Sequence, residues 1–170
     1  MDTAVALIEL RRRLDNLVRL GTVAEIDHGT ARVRVQTGNL LTGWLPWCTR
    51  RAGDTRTWDP PTVGEQVVLM SPSGEPAAAI VLQAIYRDAH PAPSAEAAAH
   101  VVSYPDGASI KYDHAAHLYR IALPDGARVE IVATGNVHVT GDVIADGVSL
   151  KTHVHTGIMT GGSNTGMPAQ

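Results

Sequence analysis

The sequence predicts a mainly β protein: one short N-terminal helix, a small closed barrel, then a C-terminal stalk in which three chains intertwine as a β-helix with a metal-capped tip. Three observations carry this prediction. A leucine stripe near the N-terminus gives way to period-two alternation from Thr22 to about Arg87. Further on, Gly135, Gly141, Gly147 and His153 fall six residues apart. His153 and His155 end the pattern as a His-x-His pair, and in an extended strand such a pair projects to one side, roughly 6–7 Å apart along the chain.

Composition bounds the possibilities. The 170 residues suffice for one medium domain or two small ones. Phe is absent and aromatic residues are 4%, against 16 Gly and 10 Pro, so short strands and turns are expected in place of a large aromatic core. A formal net charge of −3 with mixed signs lacks the basic face of a general nucleic-acid binder. The lone Cys48 excludes an internal disulfide and a Cys-x-x-Cys zinc knuckle, and it is expected to be a small buried apolar residue. Arg11-Arg12-Arg13 stands where a secretory signal would carry its apolar run, so no signal peptide is expected and synthesis in a reducing cytoplasm follows. No apolar run reaches the roughly 20 residues of a membrane-spanning helix.

Residues 1–20 are assigned to the helix. Leu7, Leu10, Leu14 and Leu17 follow 3-4-3 spacing, with Glu9, Arg11, Arg12, Arg13 and Asp15 elsewhere on the wheel and Gly21 as the stop. The stripe is expected to pack on its own domain, although it is also compatible with helices clustering at one end of a trimer. Residues 21–87 read as the barrel. Val23, Ile26, Val33 and Val35 flank a turn at His28-Gly29. Thr49 to Trp58 is a polar surface loop, and Pro72-Ser73-Gly74-Glu75 separates two further strands, Val63–Met70 and Ala79–Tyr86. Roughly five strands without helices are what a barrel of the OB type requires.

Residues 88–100 are rich in Ala and Pro and read as a linker in which His90 and His100 are solvated. From 101 to 150 the chain repeats itself. Tyr104-Pro105-Asp106-Gly107 and Leu123-Pro124-Asp125-Gly126 are two turns nineteen positions apart, each followed by a period-two strand. Their shared place in the motif makes Asp106 and Asp125 turn residues, not an acid–base pair. His114 and His117 fall in the connection between the repeats. The six-residue glycine spacing then marks short rungs that cannot cover their own edges. Three chains about one axis would supply the missing neighbours, and a solitary left-handed hexapeptide solenoid is the competing geometry. His138, between Val137 and Val139, should face opposite to them.

Residues 151–170 form the apex. Two histidines leave a metal under-coordinated, and the fifteen residues after His155 contain no Asp, Glu, His or Cys. A solvated or packed pair is the plain reading. Around a threefold axis, however, three copies of His153 and His155 would present six imidazole nitrogens to one ion, which suits an octahedral metal better than tetrahedral zinc.

The full pattern resembles the baseplate assembly protein V family, the central spikes of contractile phage tails and related bacteriocins. The resemblance rests on the helix, on Thr42-Gly43-Trp44-Leu45-Pro46-Trp47 in the OB-like segment, on the Pro-Asp-Gly repeat and on the glycine-spaced stalk. Its most specific part is Gly147-Val148-Ser149-Leu150-Lys151-Thr152-His153-Val154-His155-Thr156-Gly157 with the tail Thr160-Gly161-Gly162-Ser163-Asn164-Thr165-Gly166. It implies a homotrimer on a baseplate or tail hub protein that pierces the bacterial outer membrane on sheath contraction, as part of a virion or phage-tail-like particle. It also implies one iron ion per trimer, bound octahedrally by His153 and His155 of each chain. No catalytic residue, small-molecule substrate or nucleic-acid partner is implied. Two other classes compete. An OB module binding carbohydrate or nucleic acid would use Trp44, Trp47 and Trp58 as platforms. A cupin-like metalloenzyme would share Gly147-x5-His153-x-His155 but needs a glutamate three or four residues on, and none is there.

Overall fold

The computed structural model describes residues 3–155, 157 and 161. By its internal contacts the chain divides into two compact units, Met1–Pro124 and Asp125–Gln170.

The first unit opens with helix α1, Thr3–Leu17, which stops three residues short of the expected end. Strand β1, Val18–Asp27, follows without a break. The predicted helix stop, Gly21, is therefore a strand residue, paired with Val67. Its lack of a side chain serves packing: a Cβ there would lie 2.4 Å from Val35 Cγ1 and 2.9 Å from the Gln36 carbonyl oxygen. The leucine stripe also departs from expectation. Leu7, Leu10 and Leu14 are all more than half exposed, and Asn16 is the buried residue of the helix.

The barrel is built from β1, β2 (Arg32–Thr37), β3 (Leu40–Leu41), β4 (Leu45–Pro46), β5 (Gln66–Met70) and β6 (Ile80–Ile85). Its sheet runs β3-β2-β1-β5-β6 with β4 on β2, and a parallel bridge between Trp47 and Val81 joins the two ends. The Cys48 N–H donates to the Val81 carbonyl at 2.8 Å beside that bridge. The hairpin predicted around His28-Gly29 is present, with Val23 opposite Val35 and Ile26 opposite Val33. The three-residue step from Val23 to Ile26 breaks strict alternation because a bulge lies between Val23 and Glu25. The core comprises Val23, Val33, Val35, Leu45, Val67, Leu69, Ala79 and Val81, with Ile26 and Trp47 packed against it. Two buried hydroxyls tie the strands: Thr42 Oγ1 accepts the Val35 N–H at 2.9 Å, and Thr37 Oγ1 donates to the Leu20 carbonyl at 2.8 Å. Cys48, expected inside, is exposed, because the core at this point is filled by Leu45 and the Trp47 ring.

A second, three-stranded sheet, β7-β8-β9, completes the first unit: β7 Ala99–Ser103, β8 Ser109–Asp113 and β9 Leu118–Ala122. Strand β7 begins inside the predicted linker, so His100 is an exposed strand residue opposite Tyr112. Asp106 has its predicted turn role, its Oδ1 accepting the Ala108 N–H at 2.9 Å. His114 and His117 lie in the turn between β8 and β9. There, Asp113 Oδ1 takes the N–H groups of Ala115 and Ala116.

In the second unit the repeat loses its partner: among the described residues, Ala127–Ile131 pairs with no strand of its own chain. Its strands are β10, Ile144–Ala145, and β11, Val148–Ser149, joined antiparallel. The two-residue loop between them, Asp146-Gly147, has φ of 47° and 85°, the doubly left-handed turn that Asp-Gly favours. Gly147 thus serves a hairpin, not only a rung. Val129, Ile131, Val137, Ile144, Leu150 and Val154 are all exposed, as is His138.

Candidate metal centre

His153 and His155 follow directly on the β10–β11 hairpin, and local hydrogen bonds hold the approach to them. Asp142 is the hub. Its Oδ1 accepts the N–H groups of Val143 (2.8 Å) and Lys151 (3.1 Å), and its Oδ2 accepts the Ser149 hydroxyl at 2.5 Å. Ser149 Oγ in turn accepts the Thr152 N–H at 3.0 Å, and the Leu150 N–H closes onto the Val143 carbonyl at 2.8 Å. The Ser149 hydroxyl, and then the Lys151 and Val143 amides, hold the Asp142 carboxyl below its ordinary range.

This frame ends on the first histidine. The Ser149 carbonyl accepts the His153 backbone N–H at 3.1 Å and sits 2.8 Å from the His153 Nδ1. A carbonyl oxygen only accepts, so Nδ1 carries the proton and the Nε2 lone pair of the neutral ring is free to bind a metal. The His155 ring lies 5.2 Å from that of His153, centroid to centroid, edge to face at 81°. The structure thus brings the two predicted ligands together. Among the described residues, no group of three or more His, Cys, Asp or Glu gathers within one chain to hold an ion. The rest of the predicted apex, Thr156, Ile158–Thr160 and 162–170, lies outside the described residues. Asp142 and Ser149 are the residues that sequence reasoning missed. The available signal was an aspartate directly after a hexad glycine, a residue type that bonds backbone N–H groups in turns.

A second feature lies on the barrel. Trp58 packs 5.7 Å from Trp47 and 6.5 Å from His28, ring to ring, in a groove also lined by Arg32, Arg51 and Arg56. Trp44 stands apart, with the Arg34 guanidinium 5.9 Å over its ring. The three predicted platforms therefore do not form one surface.

Known proteins match this chain at both ends of its architecture. Residues 19–86 match the family described as the type VI secretion system/phage-baseplate injector OB domain, which covers the barrel. Residues 147–169 match the GpV Apex motif, which begins at the hairpin glycine and contains both histidines. The chain is 39% identical to the spike protein of Escherichia phage P2 over 156 residues, 92% of this chain and 73% of that protein.

The chain belongs to the phage spike-protein family.

Membership in this baseplate and spike family fits the mainly β architecture with one helix and an OB domain. It makes the protein a spike component of a contractile phage tail or type VI-like injector. Among the described residues, no helix is long and apolar enough to cross a membrane.

Proposed function

We propose that the protein is the central spike of a contractile phage tail or phage-tail-like bacteriocin. It works as a homotrimer, attached through its OB domains to the baseplate hub, and punctures the bacterial outer membrane when the sheath contracts. The observation that carries this reading is the exposure of the stalk. Val129, Ile131, Val132 and Ile144, between the injector OB match and the apex match, and Leu150 and Val154, within the apex match, are all at least 66% exposed in the single chain. A row of apolar side chains left in water by its own chain needs neighbours, and two further copies would supply them.

The working organisation is a helix over residues 1–20, the OB domain over 21–87, a linker over 88–100, a β-strand repeat and triple β-helix stalk over 101–150 and a metal-binding apex over 151–170. Attachment falls to the barrel and penetration to the stalk. A stalk that shares one core among three chains resists axial load because its interchain bonds must fail together. At the apex little apolar area is available, so metal binding would take over the role of a core, its free energy adding to that of folding.

His153 and His155 would hold the ion, two imidazoles from each of three chains; six nitrogens suit an octahedral metal, and iron is the one that the family resemblance implies. The ion would supply a tie among the three C-termini and no chemistry of turnover. The Ser149 carbonyl on His153 Nδ1 supports this, since metal-bound histidines ordinarily donate their other ring N–H to such a partner. Replacing both residues, His153→Ala with His155→Ala, is expected to remove the metal while the trimer survives. Elemental analysis together with light scattering checks this, and stoichiometric iron in the double variant would sink the assignment. The particle is assembled inside the bacterium and carries the spike at its baseplate tip.

A further inference from the structure

We infer that helix α1 is a self-association surface: the leucine stripe of one chain seats against the same stripe of two further copies in a parallel three-helix cluster. This rests on the threefold reading above.

The helix is attached to its own barrel by the wrong side for a monomer. Its buried residue is polar: Asn16, whose Oδ1 accepts from the Arg19 guanidinium at 2.8 Å. Arg12 reaches across to Glu75 at 3.0 Å. Gly74 lies against the Arg13 backbone so closely that a Cβ would come within 2.3 Å of the Arg13 carbonyl oxygen. Leu7, Leu10 and Leu14, on the other side of the wheel, are 61%, 54% and 57% exposed. The apolar surface runs on past the helix. Val18 and Leu20 project from one face of β1 with Met70 opposite Val18, and all three are exposed. A surface helix ordinarily turns its apolar stripe to the core of its own domain.

Charge and spacing indicate what covers the stripe. Each arginine of the helix is already matched: Arg11 to Asp15, Arg12 to Glu9 and Glu75, Arg13 to Glu9. The face therefore offers no uncompensated charge to recruit an acidic or basic partner. The 3-4-3 leucine spacing is a seam that fits a helix with the same spacing, and an identical helix has it by construction. A threefold stalk would deliver two such helices at high effective concentration.

The test uses the full chain with Cys48→Ser, into which Leu10→Cys, Leu7→Cys or Arg11→Cys is introduced singly. A short bis-maleimide is then applied, with light scattering on the same samples. Leu10→Cys and Leu7→Cys are expected to give covalent dimers at least fivefold more than Arg11→Cys, which lies off the seam. A trimer that fails to cross-link at both leucine positions overturns the helix cluster and leaves the threefold stalk standing, as does equal cross-linking from Arg11→Cys. A monomer by light scattering overturns both.

Discussion

Glycine and aspartate carry more of this molecule than their polarity patterns announce. Gly21 leaves no room for a Cβ against β2, and Gly21→Ala is expected to destabilise the barrel by about 1–3 kcal/mol, since Val35 and the Gln36 carbonyl must both shift. Gly43→Ala is the matched control: a Cβ there meets nothing within 4 Å, so its effect should stay within about 0.5 kcal/mol. Urea midpoints of the two variants decide the point, and equal midpoints would refute the packing account. The sequence marks both glycines alike. Reading Gly21 as a helix stop follows from its place after the leucine stripe, and only the approach of Val35 from the neighbouring strand reveals its use. Cys48 shows the same limit. Residue type favours burial, but its exposure depends on Trp47 and Leu45 having taken the interior.

At the scale of elements, the barrel strands were legible because alternation survives wherever one face is buried. Val33, Val35, Val67 and Leu69 alternate with less buried neighbours, and each is buried. The exceptions have a local cause, such as the bulge after Val23. The hairpin β10–β11 was not legible as such, because Gly147 fits a six-residue repeat and an Asp-Gly turn equally well. That hairpin yields a pH prediction. Asp142 is depressed in the folded chain, so its contribution is fully present above the ordinary carboxylate range and is lost as pH falls through its lowered value. Amide-exchange protection at Val143 and Lys151 should therefore hold at neutral pH and decline only in strong acid. In Asp142→Ala it should be roughly tenfold lower than in the wild type at neutral pH, since hydrogen bonds to a charged acceptor are the stronger kind, and the difference should vanish in strong acid. Protection unchanged in that variant would show that the frame before His153 is held by something other than the carboxylate.

For the whole molecule, the distribution of buried surface decides what kind of object it is. The barrel has a closed core of its own. Residues 125–155, by contrast, contain not one buried side chain. Thermal unfolding should accordingly depend on protein concentration, the midpoint rising as the chain is concentrated, because association stabilises the folded side of the equilibrium. A midpoint independent of concentration over two decades would argue for a chain that is complete alone. The histidine pair was legible as a motif, and the expectation of partner chains rested on the count of ligands that one chain can offer. Where the stalk begins was less readable, because a repeat such as that shared by residues 108–112 and 127–131 looks the same whether its neighbour is the same chain or another.

The local hairpins within the barrel have a kinetic side. Hairpins such as β1–β2 and β5–β6 close over short loops, so this part can form quickly as each chain leaves the ribosome. On the proposed threefold assembly, residues 125–155, which bury no side chain in the single chain, would gain their neighbours only when three nascent products meet, and that encounter is second order or higher. Maturation should then be a race between assembly and proteolysis, with translation rate setting the yield and with the barrels already finished while they wait.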